Sequence, residues 1–235
     1  MWFVTGTDTG VGKTTVTRAL AAALHKRGLR VGVCKPAEPG CARTANGELV
    51  PADAVLLREA AGSEQELDEV CPYRFEEPLA PAVAAERSGQ RIEVTRLAGT
   101  IGAIAERHDV VLVEGAGGWL VPLASHLTFA DLATKLGWPV VLVAANRLGA
   151  LNHALLTVEN LRMRGVELAG YIWNQPAALD DVAVQTNPGV LQAWLGEPLG
   201  QVPYLGGEPR SAAELAEVAE AHIDLAALLA SWRQR

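Results

Sequence analysis

Ten residues near the N-terminus, Gly6-Thr7-Asp8-Thr9-Gly10-Val11-Gly12-Lys13-Thr14-Thr15, constrain this chain more than any other stretch. They join a short β-rich run, Trp2-Phe3-Val4, to a segment from about Lys13 to Arg27 in which Val16, Leu20, Ala23 and Leu24 recur at helical spacing. Gly28 follows as a C-terminal stop. A glycine-rich turn between strand and helix aims consecutive backbone N–H groups at one point, with the positive end of the helix behind them. That geometry cradles a phosphate. In such loops the lysine, here Lys13, reaches the β- and γ-phosphates, and the following hydroxyl, Thr14, ligates Mg²⁺. The usual pattern has four residues between its first glycine and Gly-Lys, whereas five lie between Gly6 and Gly12. The plain alternative is a glycine-rich turn ahead of an ordinary helix. An intact Gly-Lys-Thr-Thr in a strand–loop–helix context argues against it.

Short apolar runs then alternate with longer helical stretches, the pattern of parallel βαβ units. Further strands are predicted over 30–35, 109–114, 139–144, 168–173 and 199–202, and helices near 52–61, 80–88, 93–107 and 152–164. Asp109-Val-Val-Leu-Val-Glu114 is almost continuously apolar, as a strand covered on both faces must be. Ser211 with Glu214 forms a capping box that opens a C-terminal helix, and Asp224 caps its continuation. No repeat, low-complexity tract or linker intervenes. The expectation is an α/β fold, one doubly wound and mostly parallel sheet with helices on both faces, in a single domain over 1–235. The segments 36–51 and 71–79 are long for connections and are expected to be functional loops.

Charge and composition narrow the function classes. Twenty basic side chains against 27 acidic ones give a net charge of −7, without the clustered basic surface that nucleic acid requires. The longest apolar run, Val140 to Ala145, falls far short of the ~18 residues of a membrane span. No cationic region precedes Asp8, so no secretory signal is expected. Cys34, Cys41 and Cys71 are odd in number and lack metal-ligand spacing, which fits a reduced cytoplasm. The histidines show no ligand spacing either.

Several residues outside the loop are candidates for chemistry. Glu114 closes an apolar strand ahead of Gly115-Ala116-Gly117-Gly118. Carboxyl ends of central strands are where α/β sheets bind ligands, so it is either a second Mg²⁺ ligand or a solvated strand-end acid. Lys35 ends the second strand beside Pro36 and either faces the same crevice as Lys13 or is solvated. Asp53 either joins this site or only complements a helix dipole. Trp119 walls the pocket or packs in the core, and Asn174 pairs with a base edge or initiates a turn. Cys41 and Cys71 have sequence contexts compatible with exposure, but no base is placed to activate them.

Read in order, Thr5 to Thr14, Lys35-Pro36, Ala52-Asp53-Ala54, Glu114-Gly-Ala-Gly-Gly-Trp119 with Val121-Pro122, Leu148-Gly149 with Asn152-His153-Ala154, Asn174, and Val202-Pro203 resemble the dethiobiotin synthetases. These are ATP-dependent enzymes of biotin biosynthesis. The match runs from residue 2 to about 205, and the five-residue loop spacing is itself a feature of that family. The resemblance implies ring closure of 7,8-diaminononanoate with CO2, using ATP and Mg²⁺. It implies Lys13 and Lys35 as catalytic groups, and Thr14, Asp53 and Glu114 at the metal and nucleotide. Nucleotide phosphates would lie on Gly10, Val11, Gly12, Lys13, Thr14 and Thr15, with Gly115, Ala116 and Gly117 beside them. Adenine would meet Asn174, Pro203, Tyr204 and Leu205. The diamine would meet Thr9, Lys35 and Gly118, and also Leu148, Gly149 and Asn152 of a second subunit, since the family is homodimeric. One departure stands out: Pro39 occupies the position where the family pattern supplies a Ser or Thr hydroxyl.

The principal alternative is a partition or septum-positioning ATPase of the same P-loop superfamily. Those switches carry a lysine five residues before the loop lysine, where this chain has Asp8. They also need a basic DNA-binding face or a cationic membrane helix, and the tail from Ser211 to Leu229 is largely acidic and apolar. An amidotransferase-coupled ligase would need a glutaminase domain with a nucleophilic cysteine, for which the chain has no room. A non-enzymatic nucleotide sensor would give Lys35 and Asp53 no reason to converge with Glu114.

Overall fold

Trp2 and Val4 pack into one apolar core and Phe3 into another on the opposite side of the strand, and all three are fully buried. The same period-2 division sends Val110 and Leu112 one way and Val111 and Val113 the other. Strands apolar on both faces must be covered on both faces, so helices on either side of a parallel sheet follow directly. The computed structural model describes residues 1–178, 181–206 and 210–233. Its main sheet consists of β1 (Trp2–Gly6), β2 (Val31–Cys34), β3 (Val110–Gly118), β4 (Val140–Ala145), β5 (Leu168–Asn174) and β6 (Gly200–Val202). Their order is β6-β5-β4-β1-β3-β2, and every neighbouring pair is parallel. The chain winds outward from β1 in both directions, which makes the carboxyl end of β1 a topological switch point.

Ten helices surround the sheet among the described residues: α1 (Lys13–Lys26), α2 (Ala52–Ala60), α3 (Leu67–Val70), α4 (Pro81–Arg87), α5 (Val94–Arg107), α6 (Phe129–Leu136), α7 (Ala150–Met163), α8 (Val182–Leu195), α9 (Ala212–His222) and α10 (Leu225–Arg233). Helices α1, α2, α9 and α10 share a core on one face. On the other face α4, α5 and α6 cover β3 and β1, and α7 and α8 cover β4 and β5. None of the described helices is long and apolar enough to cross a membrane.

The expected strands and helices form within one or two residues of their predicted limits, with one exception. Strand β3 runs four residues past Glu114, through the glycines, to Gly118. Its register against β1 shifts between Val4↔Glu114 and Gly6↔Gly118. Glu114 is therefore not a solvated strand-end acid but a wholly buried residue inside the sheet. The capping box of Ser211 and Glu214 is present in both directions, and Asp224 accepts the Ala227 N–H at 2.8 Å. Helices α3, α6 and α8 were not predicted. The first is a single turn, and α6 opens on a Thr128–Asp131 capping box that uses Asp in place of the usual Glu or Gln. Helix α8 carries Pro188 and Gly189 in its interior, two residues that disguise a helix in sequence.

The two long connections are tied to one another. Ala37–Pro39 pairs in parallel with Tyr73–Phe75, and Ala42–Arg43 closes a hairpin with Leu49–Val50. Cys41 and Cys71 are buried in this region rather than exposed. Their thiols donate to the carbonyls of Glu38 and Tyr73 at 3.2 and 3.4 Å, and burial pushes the Cys41 thiol up to about 11.

Close backbone approach fixes the last strand. A Cβ added at Gly200 would lie 2.1 Å from the His222 carbonyl oxygen and 2.8 Å from the Ile223 Cα. Forcing an extra carbon against backbone costs about 1–3 kcal/mol. Gly200→Ala is expected to lower the unfolding free energy by that amount in urea titrations. An unchanged midpoint would show that the end of α9 is free to move away from β6.

Candidate active site

The glycine-rich loop leaves β1 at Gly6 and enters α1 at Lys13, so the strand delivers it to the switch point. Gly12 caps the helix in the left-handed region at φ 89°, and a Cβ there would sit 2.0 Å from the Asn174 amide nitrogen. Only glycine fits both demands. Asn174, at the end of β5, donates its side-chain N–H to the Val11 carbonyl at 2.9 Å and so fastens the loop from below.

Lys13 is 7% exposed and donates to the Asp8 carbonyl at 3.0 Å. Burial is the largest influence on its ammonium and lowers it to about 8, despite attraction from Glu114. Across the site, Lys35 Nζ lies 2.7 Å from Asp53 Oδ2 and 2.6 Å from Glu114 Oε1. Burial alone would pull the Lys35 pKa down, but the two carboxylates outweigh it and hold the group above its usual value. Thr14 donates its hydroxyl to the same Glu114 Oε1 at 2.8 Å. Two donors therefore share one oxygen of Glu114, while Oε2 is buried without a hydrogen-bond partner.

A buried carboxylate oxygen with no partner is costly and calls for an explanation. A cation supplies one. No group of three or more His, Cys, Asp or Glu among the described residues forms a metal cage. The local donors are one hydroxyl and two carboxylates. That set suits Mg²⁺, which keeps several waters and takes phosphate oxygens alongside one or two protein carboxylates.

A cleft of about 490 Å³ opens over these groups. Thr9, Gly10, Gly12, Lys13, Thr14 and Thr15 line it from the loop, and Lys35, Pro39 and Asp53 from the opposite wall. Ala116, Gly117, Asn174, Pro203, Tyr204 and Leu205 also line it. Val11 and Gly115 are buried behind this lining. A second, more apolar groove of about 390 Å³ meets the first at Thr9 and is bordered by Gly118, Trp119, Val121 and Leu156. Trp119 both walls this groove and packs edge-on against Phe3 in the core.

Leu148, Gly149 and Asn152 lie outside both depressions, exposed at the start of α7. That helix begins at Ala150, two residues before the predicted start, because Gly149 caps it at φ 88°. Glu38 was not recognised from sequence. It lines the first cleft and accepts the backbone N–H groups of Asp53 and Ala54 at 2.9 and 3.0 Å. Burial pushes its carboxyl up against the opposing pull of those bonds. At Asp8, where the septum-positioning ATPases carry a lysine, the carboxylate accepts the Thr9 N–H at 2.7 Å and pairs with Arg147 at 3.3 Å.

Sheet order, loop and cleft define a P-loop nucleotide-binding protein of the AAA type, and a family model described as "AAA domain" matches residues 1–207. Solved structures with this fold include the septum site-determining protein MinD complexed with Mg-ADP from Pyrococcus horikoshii. It is 16% identical, with a TM-score of 0.54, over 92% of this chain and 86% of that one. Cobyrinic acid a,c-diamide synthase from Mycobacterium smegmatis is 14% identical with a TM-score of 0.55, over 94% and 91%. Such likeness establishes the fold alone. Sequence relatives go further. The ATP-dependent dethiobiotin synthetase of Anaeromyxobacter dehalogenans (strain 2CP-C) is 45% identical over 222 residues, covering 94% of this chain and 97% of its own. That of Thermodesulfovibrio yellowstonii is 39% identical over 237 residues, covering 97% and 98%. The chain belongs to the ATP-dependent dethiobiotin synthetase family.

The lowered Lys13 has a measurable consequence. With burial lowering the ammonium to about 8, phosphate charge brought beside it would hold the proton on. Nucleotide binding at about pH 8.5 is therefore expected to take up roughly half a proton or more, and affinity to fall as pH rises past about 8. Calorimetry in buffers of different ionisation enthalpy measures the uptake. Lys13→Arg, which stays charged, should abolish it. Absence of uptake in the unmodified protein would refute the lowered value.

Proposed function

We propose that the cleft forms dethiobiotin from 7,8-diaminononanoate, CO2 and ATP by way of a carbamate, within one synthetase domain over 1–235. One amine of the diamine adds to CO2 and releases a proton. The carbamate oxygen attacks the γ-phosphorus of ATP, giving a carbamic–phosphoric anhydride and ADP. The second amine then attacks the carbamoyl carbon, closes the cyclic urea and expels phosphate. The observation that carries this reading is the Lys35 ammonium held within 2.7 Å of both Asp53 and Glu114, beside Thr14 and across from Lys13.

Phosphoryl transfer asks a protein for positioning and charge more than for covalent help. The N–H groups of Gly10 to Thr15 cradle the phosphates, and Lys13 meets their β and γ oxygens. Lys35 presents fixed positive charge to the carbamate and to the transferring group, where charge shifts in the transition state. Bound Mg²⁺ would neutralise the phosphates, with Thr14, Asp53 and the unpartnered oxygen of Glu114 as the groups to hold it. Gly115, Ala116 and Gly117 flank the phosphates, and Asn174 with Pro203, Tyr204 and Leu205 receives adenine. An amide has a second N–H and a carbonyl oxygen beyond the bond that Asn174 makes to Val11.

The apolar groove beside Thr9 and Gly118 suits the hydrocarbon chain of the diamine, with Trp119 and Leu156 as its walls. Its carboxylate requires a separate partner. Leu148, Gly149 and Asn152 would supply this from a second copy of the chain, through N–H groups at the start of α7. Exposed Leu148 just before α7, with exposed Leu156 and Met163 on it, supports burial against that copy. Three buried free thiols fit a cytoplasmic setting.

Lys35→Ala is expected to slow dethiobiotin formation at least a hundredfold, since a lost transition-state charge partner is worth about 3–4 kcal/mol. ATP affinity should change only a few-fold, because Lys35 faces the carbamate rather than the phosphate cradle. Turnover close to that of the unmodified enzyme would remove Lys35 from the mechanism. Sedimentation at working concentration tests the shared site, and a dimer is expected. Mixing Lys35→Ala chains with chains substituted at Gly149 and Asn152 should restore about a quarter of the sites, through the mixed dimers alone. Monomers, or no recovery on mixing, would count against it.

A further inference from the structure

Glu38 has no part in the roles above, yet it is a carboxylate lining the cleft and only 5% exposed. Its neighbours explain why it is there. Helix α2 starts behind Pro51, which has no side-chain oxygen and makes no side-chain cap. The first N–H groups of a helix need acceptors, and a buried start without them is unstable. Glu38 supplies both from a different segment of the chain: Oε1 accepts from Asp53 N–H and Oε2 from Ala54 N–H. Bonds to an ionised acceptor are the stronger kind, and two of them fix orientation as well as distance.

The anchor is itself anchored. Ala37–Pro39 is paired with Tyr73–Phe75, so Glu38 projects from an ordered strand and not from a free loop. The Cys41 thiol donates to the Glu38 carbonyl. Two residues before that strand lies Lys35, whose ammonium returns to the Asp53 carboxylate. Lys35, Glu38 and Asp53 thus close a ring in which the backbone of Asp53 is held by one member and its side chain by the other. The Asp53 side chain is 39% exposed, so burial alone does little to fix it.

We propose that Glu38 is a positioning residue: by fixing the backbone at Asp53 it presets that carboxylate for Mg²⁺ when nucleotide binds. The inference rests on the reading of Asp53 as a metal-holding group. Outer partners of metal ligands commonly contribute 10–100-fold to metal affinity or activity. A cap that served stability alone would lower the melting temperature and leave metal-dependent binding untouched.

The test is the gain in affinity that Mg²⁺ confers on a non-hydrolysable ATP analogue, measured by calorimetry with and without the metal on the full-length protein. Glu38→Ala is expected to reduce that gain about tenfold and to leave metal-free binding within about twofold. Glu38→Gln keeps one oxygen acceptor, and a loss of roughly threefold is expected. It also serves as the deciding variant should Glu38→Ala fail to fold. Asp53→Asn should remove the gain in the same assay. A full gain in the Glu38 variants together with a lost gain in Asp53→Asn would overturn the positioning role alone. A full gain in Asp53→Asn as well would overturn the metal-holding reading and the inference with it.

Discussion

The site depends on one buried cation shared by two carboxylates. Glu114 is inaccessible inside the sheet, and an unpaired carboxylate there would be strongly destabilising. Lys35 neutralises it at 2.6 Å and joins it to Asp53, which belongs to a different structural element. The strand carrying Glu114, the end of the strand before Lys35 and the first turn of α2 are thereby held to one point. Removing any one of the three charges leaves the others poorly matched in a low-dielectric setting. The arrangement is costly as a stability device, and that is the reason to regard it as a functional one.

Legibility in the sequence followed the range of the interactions. The phosphate loop was readable because its requirements are local: glycine where the backbone is left-handed, and lysine and threonine at the helix start. The central strands β1, β3 and β4 were readable because burial on both faces leaves an apolar run. Glu38 was not. Its partners lie 15 and 16 residues away, on a helix whose own cap is a proline, and neither segment marks the pairing. Glu114 was located correctly but given the wrong surroundings. Glycines after an apolar run read as a loop, whereas here they continue the strand past a register shift. Helix α8 was hidden by Pro188, a residue whose penalty tertiary packing can absorb.

The same fold occurs in a septum site-determining protein and in a cobyrinic acid a,c-diamide synthase at about 15% identity. Around the loop of this chain Asp8 engages Arg147 and the Thr9 N–H, and segment 37–39, paired with 73–75, brings Glu38 and Pro39 to the cleft wall. The fold places the loop at the carboxyl end of β1, a topological switch point.

The bond from Asn174 to Val11 has a mechanical meaning. Asn174 closes β5, and Val11 lies inside the glycine-rich loop. Its amide is in addition the nearest obstacle to any side chain at Gly12. The end of β5 and the glycine-rich loop are therefore braced to one another by a single side chain. A change at either Asn174 or Gly12 must be accommodated by the other, so the two positions are free to vary only together.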